Sequence, residues 1–153
     1  MPGDCRDLAM QNIVHSAPPI DPAELPSMLA TLCSYESLFG PYAPQTLCLT
    51  AQVGDACSQA GEFEYARRLL ERVVRDVGRY LGQDHDLRLR AIATLRDIFI
   101  AQRDYQRAGT AVNELLECQV RLVGADHPEA LATRANLALI LLQQASSDSN
   151  RAA

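Results

Sequence analysis

Apolar residues recur at helical spacing in blocks, polar turns separate the blocks, and the blocks themselves recur. Residues 42–60 place Leu47, Leu49, Val53, Ala56, Cys57 and Ala60 mostly at a 3.6-residue period before Gly61 and Glu62 interrupt it. Residues 63–81 repeat that period with Phe63, Ala66, Leu69, Leu70, Val73, Val74, Val77 and Leu81, and stop at Gly82. Two helices joined by a tight turn are predicted, followed by a second pair over 86–102 and 105–122 and by one more helix over 128–145. Upstream, Met28, Leu32, Tyr35 and Leu38 form a stripe that predicts a helix starting near Leu25. Pro26 then falls in the first turn, where its missing N–H leaves no intrahelical hydrogen bond unmade. Residues 5–15 predict a further short helix closed by Ala17-Pro18-Pro19, and the polar residues 146–153 predict a flexible tail.

The blocks share one period. Gly40, Gly82 and Gly124 stand 42 residues apart, and overlaying the segments puts Leu47 on Leu89 and Leu131, Val53 on Leu95 and Leu137, and Cys57 on Phe99 and Leu141. Phe63 likewise falls on Tyr105, Ala66 on Ala108, and Leu70 on Val112. A fixed period of this size is the mark of stacked helical hairpins that bury each other in series. The shared apolar positions are therefore expected in the core. Glycine at the recurring stop suits a left-handed helix C-terminus, and Asp84-His85-Asp86 and Asp126-His127-Pro128 offer side chains that cap the next helix. The chain divides into an N-terminal segment 1–20, a repeat domain 21–145 and the tail 146–153. The domain comprises a half repeat over 21–38 and repeats starting at 39, 81 and 123.

Gly54, Gly61, Phe63 and Ala66 in the first repeat, and Ala138 in the third, resemble the tetratricopeptide pattern of helical pairs. A small residue stands late in the first helix, an aromatic follows the turn, and alanine comes three positions on. The 42-residue spacing, with L-G-x-D-H at Leu81 to His85 and V-G-A-D-H-P-E-A-L-A-T at Val123 to Thr133, is similar to the kinesin light chain variety. The resemblance spans about residues 21–145. It implies an all-α, right-handed superhelical solenoid of antiparallel hairpins, about three repeats including partial ones. Two positions depart from the pattern. Arg96 stands where Gly54 and Ala138 stand in the other repeats, so its guanidinium must reach outward or find a carboxylate. The paired groove asparagines of that variety reduce to Asn136, with Gln52 and Thr94 at the equivalent places.

In that family the first helix of each repeat lines a concave face. Carried across, the frame assigns a partner-binding groove to Gln52, Asp55, Gln59, Arg90, Thr94, Asp97, Asn136 and Gln143. Asp55, Arg90 and Asp97 would make charged contacts with an extended peptide or a partner helix, and the amides would hydrogen-bond to it. The implied role is a non-catalytic interaction module or adaptor. A self-assembling structural protein, or a peptide or small-ligand sensor using the same groove, is the alternative.

Composition narrows the classes. The net charge of −5 argues against nucleic acid or an anionic membrane as the partner. Arg68, Arg72, Arg75 and Arg79 share one helix face, but Glu64, Glu71 and Asp76 lie three or four residues away, so a locally paired, solvated stripe is expected. His85 and His127 recur one repeat apart, too far to share a metal, and are expected to serve turns and caps. No phosphate loop, nucleophile elbow or paired-carboxylate arrangement stands out, so no catalytic residue, cofactor or metal is expected. Five cysteines without a C-x-x-C pair are expected as free thiols, mostly buried, in a reducing cytoplasm. The leucines of helix 128–145 occupy more than one face, so this helix is expected to dock on a second copy, on the N-terminal segment or on a partner protein.

Overall fold

The structure, a computed structural model, describes residues 21–153. The helix expected within residues 5–15 lies outside them. A short 3-10 turn over Pro22–Glu24 leads into six α-helices: α1 Leu25–Phe39, α2 Pro44–Gln59, α3 Phe63–Tyr80, α4 Asp86–Ala101, α5 Tyr105–Val123 and α6 Pro128–Ala152. No strand occurs among the described residues. Pro26 sits in the first turn of α1, and Pro44 and Pro128 occupy the starts of α2 and α6. The one sizeable difference from the expected boundaries is at the end. The polar residues from Ser146 onward continue α6 to Ala152 instead of leaving it as a flexible tail, because no glycine or proline between Ser146 and Arg151 breaks a helix.

The turns explain the period. Gly40, Gly82 and Gly124 all have positive φ, at 86°, 117° and 95°. Gly40 and Gly124 combine this with ψ of 163° and 159°, an extended region open only to glycine and not the left-handed helical cap expected. Gly61 ends α2 with φ of 82°, and its equivalent 42 residues on is Arg103, which adopts φ of 59° as an ordinary L-residue. The left-handed conformation costs such a residue about 1–2 kcal/mol. Arg103→Gly should therefore stabilise the protein by about 1 kcal/mol, read as an increase in the urea midpoint at unchanged m-value.

Two compact units divide the chain, one ending at Ala91 and the other spanning Ile92–Ala153. In the first, α1 packs on α2, and α2 packs on α3 across the turn at Ala60–Glu62. Leu47, Val53, Cys57, Ala66, Leu70, Val73 and Val77 have no exposed surface, which is where the repeat register put the core. Gly54 shows how close α2 and α3 come: a Cβ there would lie 2.8 Å from Leu70 Cγ. In the second unit α5 packs on α6, with Ile98, Ala108, Val112 and Ala130 fully buried and Cys118 and Ile140 nearly so. Leu131 and Leu141 are 46% and 51% exposed, whereas their first-repeat equivalents Leu47 and Cys57 are at 0%. In the first repeat α3 follows α2 and lies against it. No helix of the described residues plays that part for α6.

The cysteines follow the burial pattern but not wholly the expected chemistry. Cys33 is free and exposed, and Cys57 and Cys118 are free and buried. Cys48 is disulfide-bonded, so the expectation of free thiols throughout fails there. Burial, and next the charge of Glu62, push the Cys57 thiol above its ordinary range and keep it neutral. A maleimide added to the folded protein should accordingly label Cys33 rapidly. Cys57 and Cys118 should react only after denaturant is added, and comparable rates at all three under native conditions would contradict the packing.

Candidate functional site

The expected groove residues divide between the two units, and their circumstances differ. In the first unit α2 carries Gln52 and Asp55 half-buried and Gln59 exposed. Asp55 is not a waiting contact. Arg90, at the start of α4, donates from Nη2 to Asp55 Oδ2 at 2.7 Å, with the Asp55 side chain 14% exposed. A charge-assisted bond of that length, partly shielded from water, holds both side chains in place. The two groups assigned to a partner thus recognise each other and fix the start of α4, within the first unit, against α2.

In the second unit the arrangement is open. Asp97 from α4 and Asn136 and Gln143 from α6 line one cavity of about 360 Å³, together with Arg96, Ile100, Tyr105, Leu139 and Ile140. Asn136 and Gln143 are seven residues apart on α6, two helical turns or about 10 Å, so both amides lie along the same side of the cavity. Between them Leu139 is 61% exposed and Ile140 is buried at 6%, giving an apolar strip under polar edges. Thr94 is half-buried and does not line this cavity.

Arg96 is the least expected member. The repeat frame identified it as an intrusion where a small residue belongs, and the expectation that it finds a carboxylate is met by Asp97, whose Oδ1 accepts from Arg96 Nε at 2.8 Å. The side chain is only 23% exposed. Tyr105 had been aligned with Phe63 as a core aromatic, and Ile100 had been given no role. Each is instead a cavity wall. The signal for Arg96 was available, since a large cation replaces a glycine. Nothing in the sequence pattern said that Tyr105 or Ile140 would border open space.

The remaining candidates resolve into structural duties. His85 Nδ1 accepts from the Leu87 N–H at 3.1 Å and His127 Nδ1 from the Glu129 N–H at 3.2 Å, so the recurring histidines cap α4 and α6, the duty expected of them. The arginine stripe on α3 pairs differently from its spacing. Arg67, not Arg68, bonds both Glu64 and Glu71, at 2.9 and 3.0 Å. Arg72 reaches Glu36 on α1 at 2.7 Å, and Arg75 Nε bonds Asp76 at 3.0 Å. Among the described residues no helix is long and apolar enough to cross a membrane.

No protein-family pattern matches this sequence, and no curated protein matches it either. Solved structures do. A crystal structure from Podosopora anserina, of a putative kinesin light chain with nearly identical TPR-like repeats, superposes with a TM-score of 0.71 at 19% identity. The match covers 94% of this chain and 65% of that one. The fold is thus an all-α helical repeat of the tetratricopeptide-like kind, and the chain spans about two thirds of the length of that structural neighbour.

Proposed function

We propose that this protein is a non-catalytic interaction module that holds a peptide segment or helix of a partner protein against the second unit. The contacts assigned to the partner are Asp97, Asn136 and Gln143. One observation carries the reading: within a helical-repeat fold, these polar side chains converge on a single cavity with an apolar strip between them. The amides suit backbone groups of a bound segment, and Leu139 and Ile140 suit an apolar side chain. Gln52, Gln59 and Thr94 do not line that cavity, and Asp55 and Arg90 are turned inward to each other. Peptide selection from a displayed library tests the reading. Segments enriched on the wild-type protein should lose at least tenfold in affinity on the double variant Asn136→Ala/Gln143→Ala, and unchanged affinity with an unchanged circular dichroism melt would end it. The net charge of −5 supports a protein partner over nucleic acid or an anionic membrane. A cytoplasmic location draws support from the free thiols of Cys33, Cys57 and Cys118 and none from Cys48.

A second reading, self-association through α6, is favoured by the exposure of Leu131, Leu139, Leu141 and Leu142, all above 45%. Light scattering over a concentration series reads it directly. A constant monomer mass up to several hundred micromolar would dismiss it.

A further inference from the structure

We propose that the cavity of the second unit is a binding site for a free α-amino acid with an apolar side chain, its carboxylate on Arg96 and its ammonium on Asp97. The charge pattern comes first. Arg96 spends only Nε, on Asp97 Oδ1 at 2.8 Å, and its two Nη groups have no hydrogen-bond partner among the described residues. Asp97, 63% exposed, keeps Oδ2 open beside it. The cavity therefore offers one positive and one negative group side by side. A simple anion would gain Arg96 but be opposed by Asp97, and a simple cation would meet the reverse. A zwitterion, whose opposite charges sit on neighbouring atoms, complements both. The planar guanidinium with free Nη donors is also the side chain best shaped to take a carboxylate through two parallel bonds.

The remaining walls select among zwitterions. Ile100, Leu139 and Ile140 form an apolar surface next to the ion pair, and Tyr105 closes one edge. An amino acid with a leucine- or phenylalanine-sized side chain covers these walls and is expected to bind at least tenfold more tightly than glycine. The Asn136 and Gln143 amides, which make no hydrogen bond within the described residues, can accept from the ammonium or donate to the carboxylate. At about 360 Å³ the cavity lies at the low end of the roughly 300–1,000 Å³ of small-molecule sites, enough for one residue and little more. Gly54 and Ala138, at the positions equivalent to Arg96, provide no such group. This inference does not rest on the partner-segment reading, although a bound amino acid and a partner's side chain would exclude each other from the cavity.

The test is an NMR titration of the full chain with ¹⁵N label, adding L-leucine, L-phenylalanine, glycine, N-acetyl-leucine and leucinamide separately up to 20 mM. Saturable shifts of the Asn136 and Gln143 side-chain amides are expected with leucine or phenylalanine. Affinity should fall at least tenfold for glycine, for N-acetyl-leucine, which lacks the ammonium, and for leucinamide, which lacks the carboxylate. Arg96→Gln should weaken leucine at least tenfold while the dispersion of the other amide signals is retained. Absence of a saturable shift with either apolar amino acid overturns the proposal, as does equal affinity for leucine and either of its blocked forms. Should Arg96→Gln fail to fold, the blocked ligands decide on the wild-type protein. Loss of displayed-peptide binding in Asn136→Ala/Gln143→Ala bears only on the partner reading, so the two can fail separately.

Discussion

Gly54→Arg is expected to destabilise the protein by more than about 3 kcal/mol. The substitution copies into the first repeat the residue that the second repeat already has, Arg96, so chemistry alone does not forbid it. Geometry does. At Gly54 even a Cβ would lie 2.8 Å from Leu70 Cγ and 2.9 Å from Leu70 Cδ2, distances that real Cβ atoms do not adopt. Leu70 is fully buried and cannot swing into solvent. Overpacking of this kind costs about 1–3 kcal/mol, and the remainder of the side chain must thread a guanidinium out of a closed helix contact. The residue equivalent to Leu70 in the second repeat, which carries the arginine, is Val112, one methylene smaller, so Leu70→Val is the substitution expected to make room. Leu70→Val alone should cost about 0.5–1.5 kcal/mol, but in the Gly54→Arg background it should be neutral or stabilising, so urea melts of the four proteins give a coupling of at least about 1 kcal/mol. A near-wild-type midpoint for Gly54→Arg would mean that α2 and α3 do not meet as closely as this packing requires.

The same comparison marks how far the sequence could be read. The period that set Gly40 on Gly82 and Gly124 is a local signal repeated, and helix propensity, turn chemistry and core register all agree with it, so the helix ends matched within a residue or two through α5. At α6 the frame ran out. Its polar end gives no apolar stripe by which to recognise a helix, yet a run without glycine or proline continues as one. The site was less legible because repeat equivalence fixes which helix face a residue occupies and not what lies opposite. Asp55 and Asp97 share one repeat position. Asp55 meets Arg90 across 35 residues of sequence and is used up in packing, whereas Asp97 meets its own neighbour Arg96 and stays beside an open cavity. Tyr105 holds the position of Phe63 and still borders that space. Such differences arise from tertiary pairings that no spacing rule along one helix records. The arginines of α3 make the point again, since reading at three and four residues assigned Glu64 to Arg68 when Arg67 takes it.

Arg72 supplies the other large effect, and its size follows from the partner it would abandon. Its guanidinium joins three segments: Nη1 lies 2.7 Å from Glu36 on α1, Nη2 donates to the Pro41 carbonyl at 3.4 Å, and Nε lies 3.7 Å from Asp76 Oδ2. Asp76 is the group at risk. Its side chain is 5% exposed and its Oδ2 has no hydrogen bond, so Arg72 is the charge that compensates that oxygen. Arg75 meets the other oxygen but is itself 71% exposed, and its attraction is weakened by water. Removing one member of a buried pair leaves the other uncompensated, typically at 3–5 kcal/mol. Arg72 is itself 26% exposed, so solvent screening reduces this to about 2–4 kcal/mol for Arg72→Met, which keeps the apolar stem. Arg67→Met, which breaks bonds to the well-exposed Glu64 and Glu71, should cost under about 1 kcal/mol despite removing more hydrogen bonds. Adding Asp76→Asn to Arg72→Met should restore part of the loss, because the uncompensated charge is gone. If Arg72→Met and Arg67→Met melt together, or if Asp76→Asn deepens the loss in the Arg72→Met background, then the carboxylate is not the group whose burial Arg72 sustains, and the tie between α1 and α3 rests on apolar packing alone.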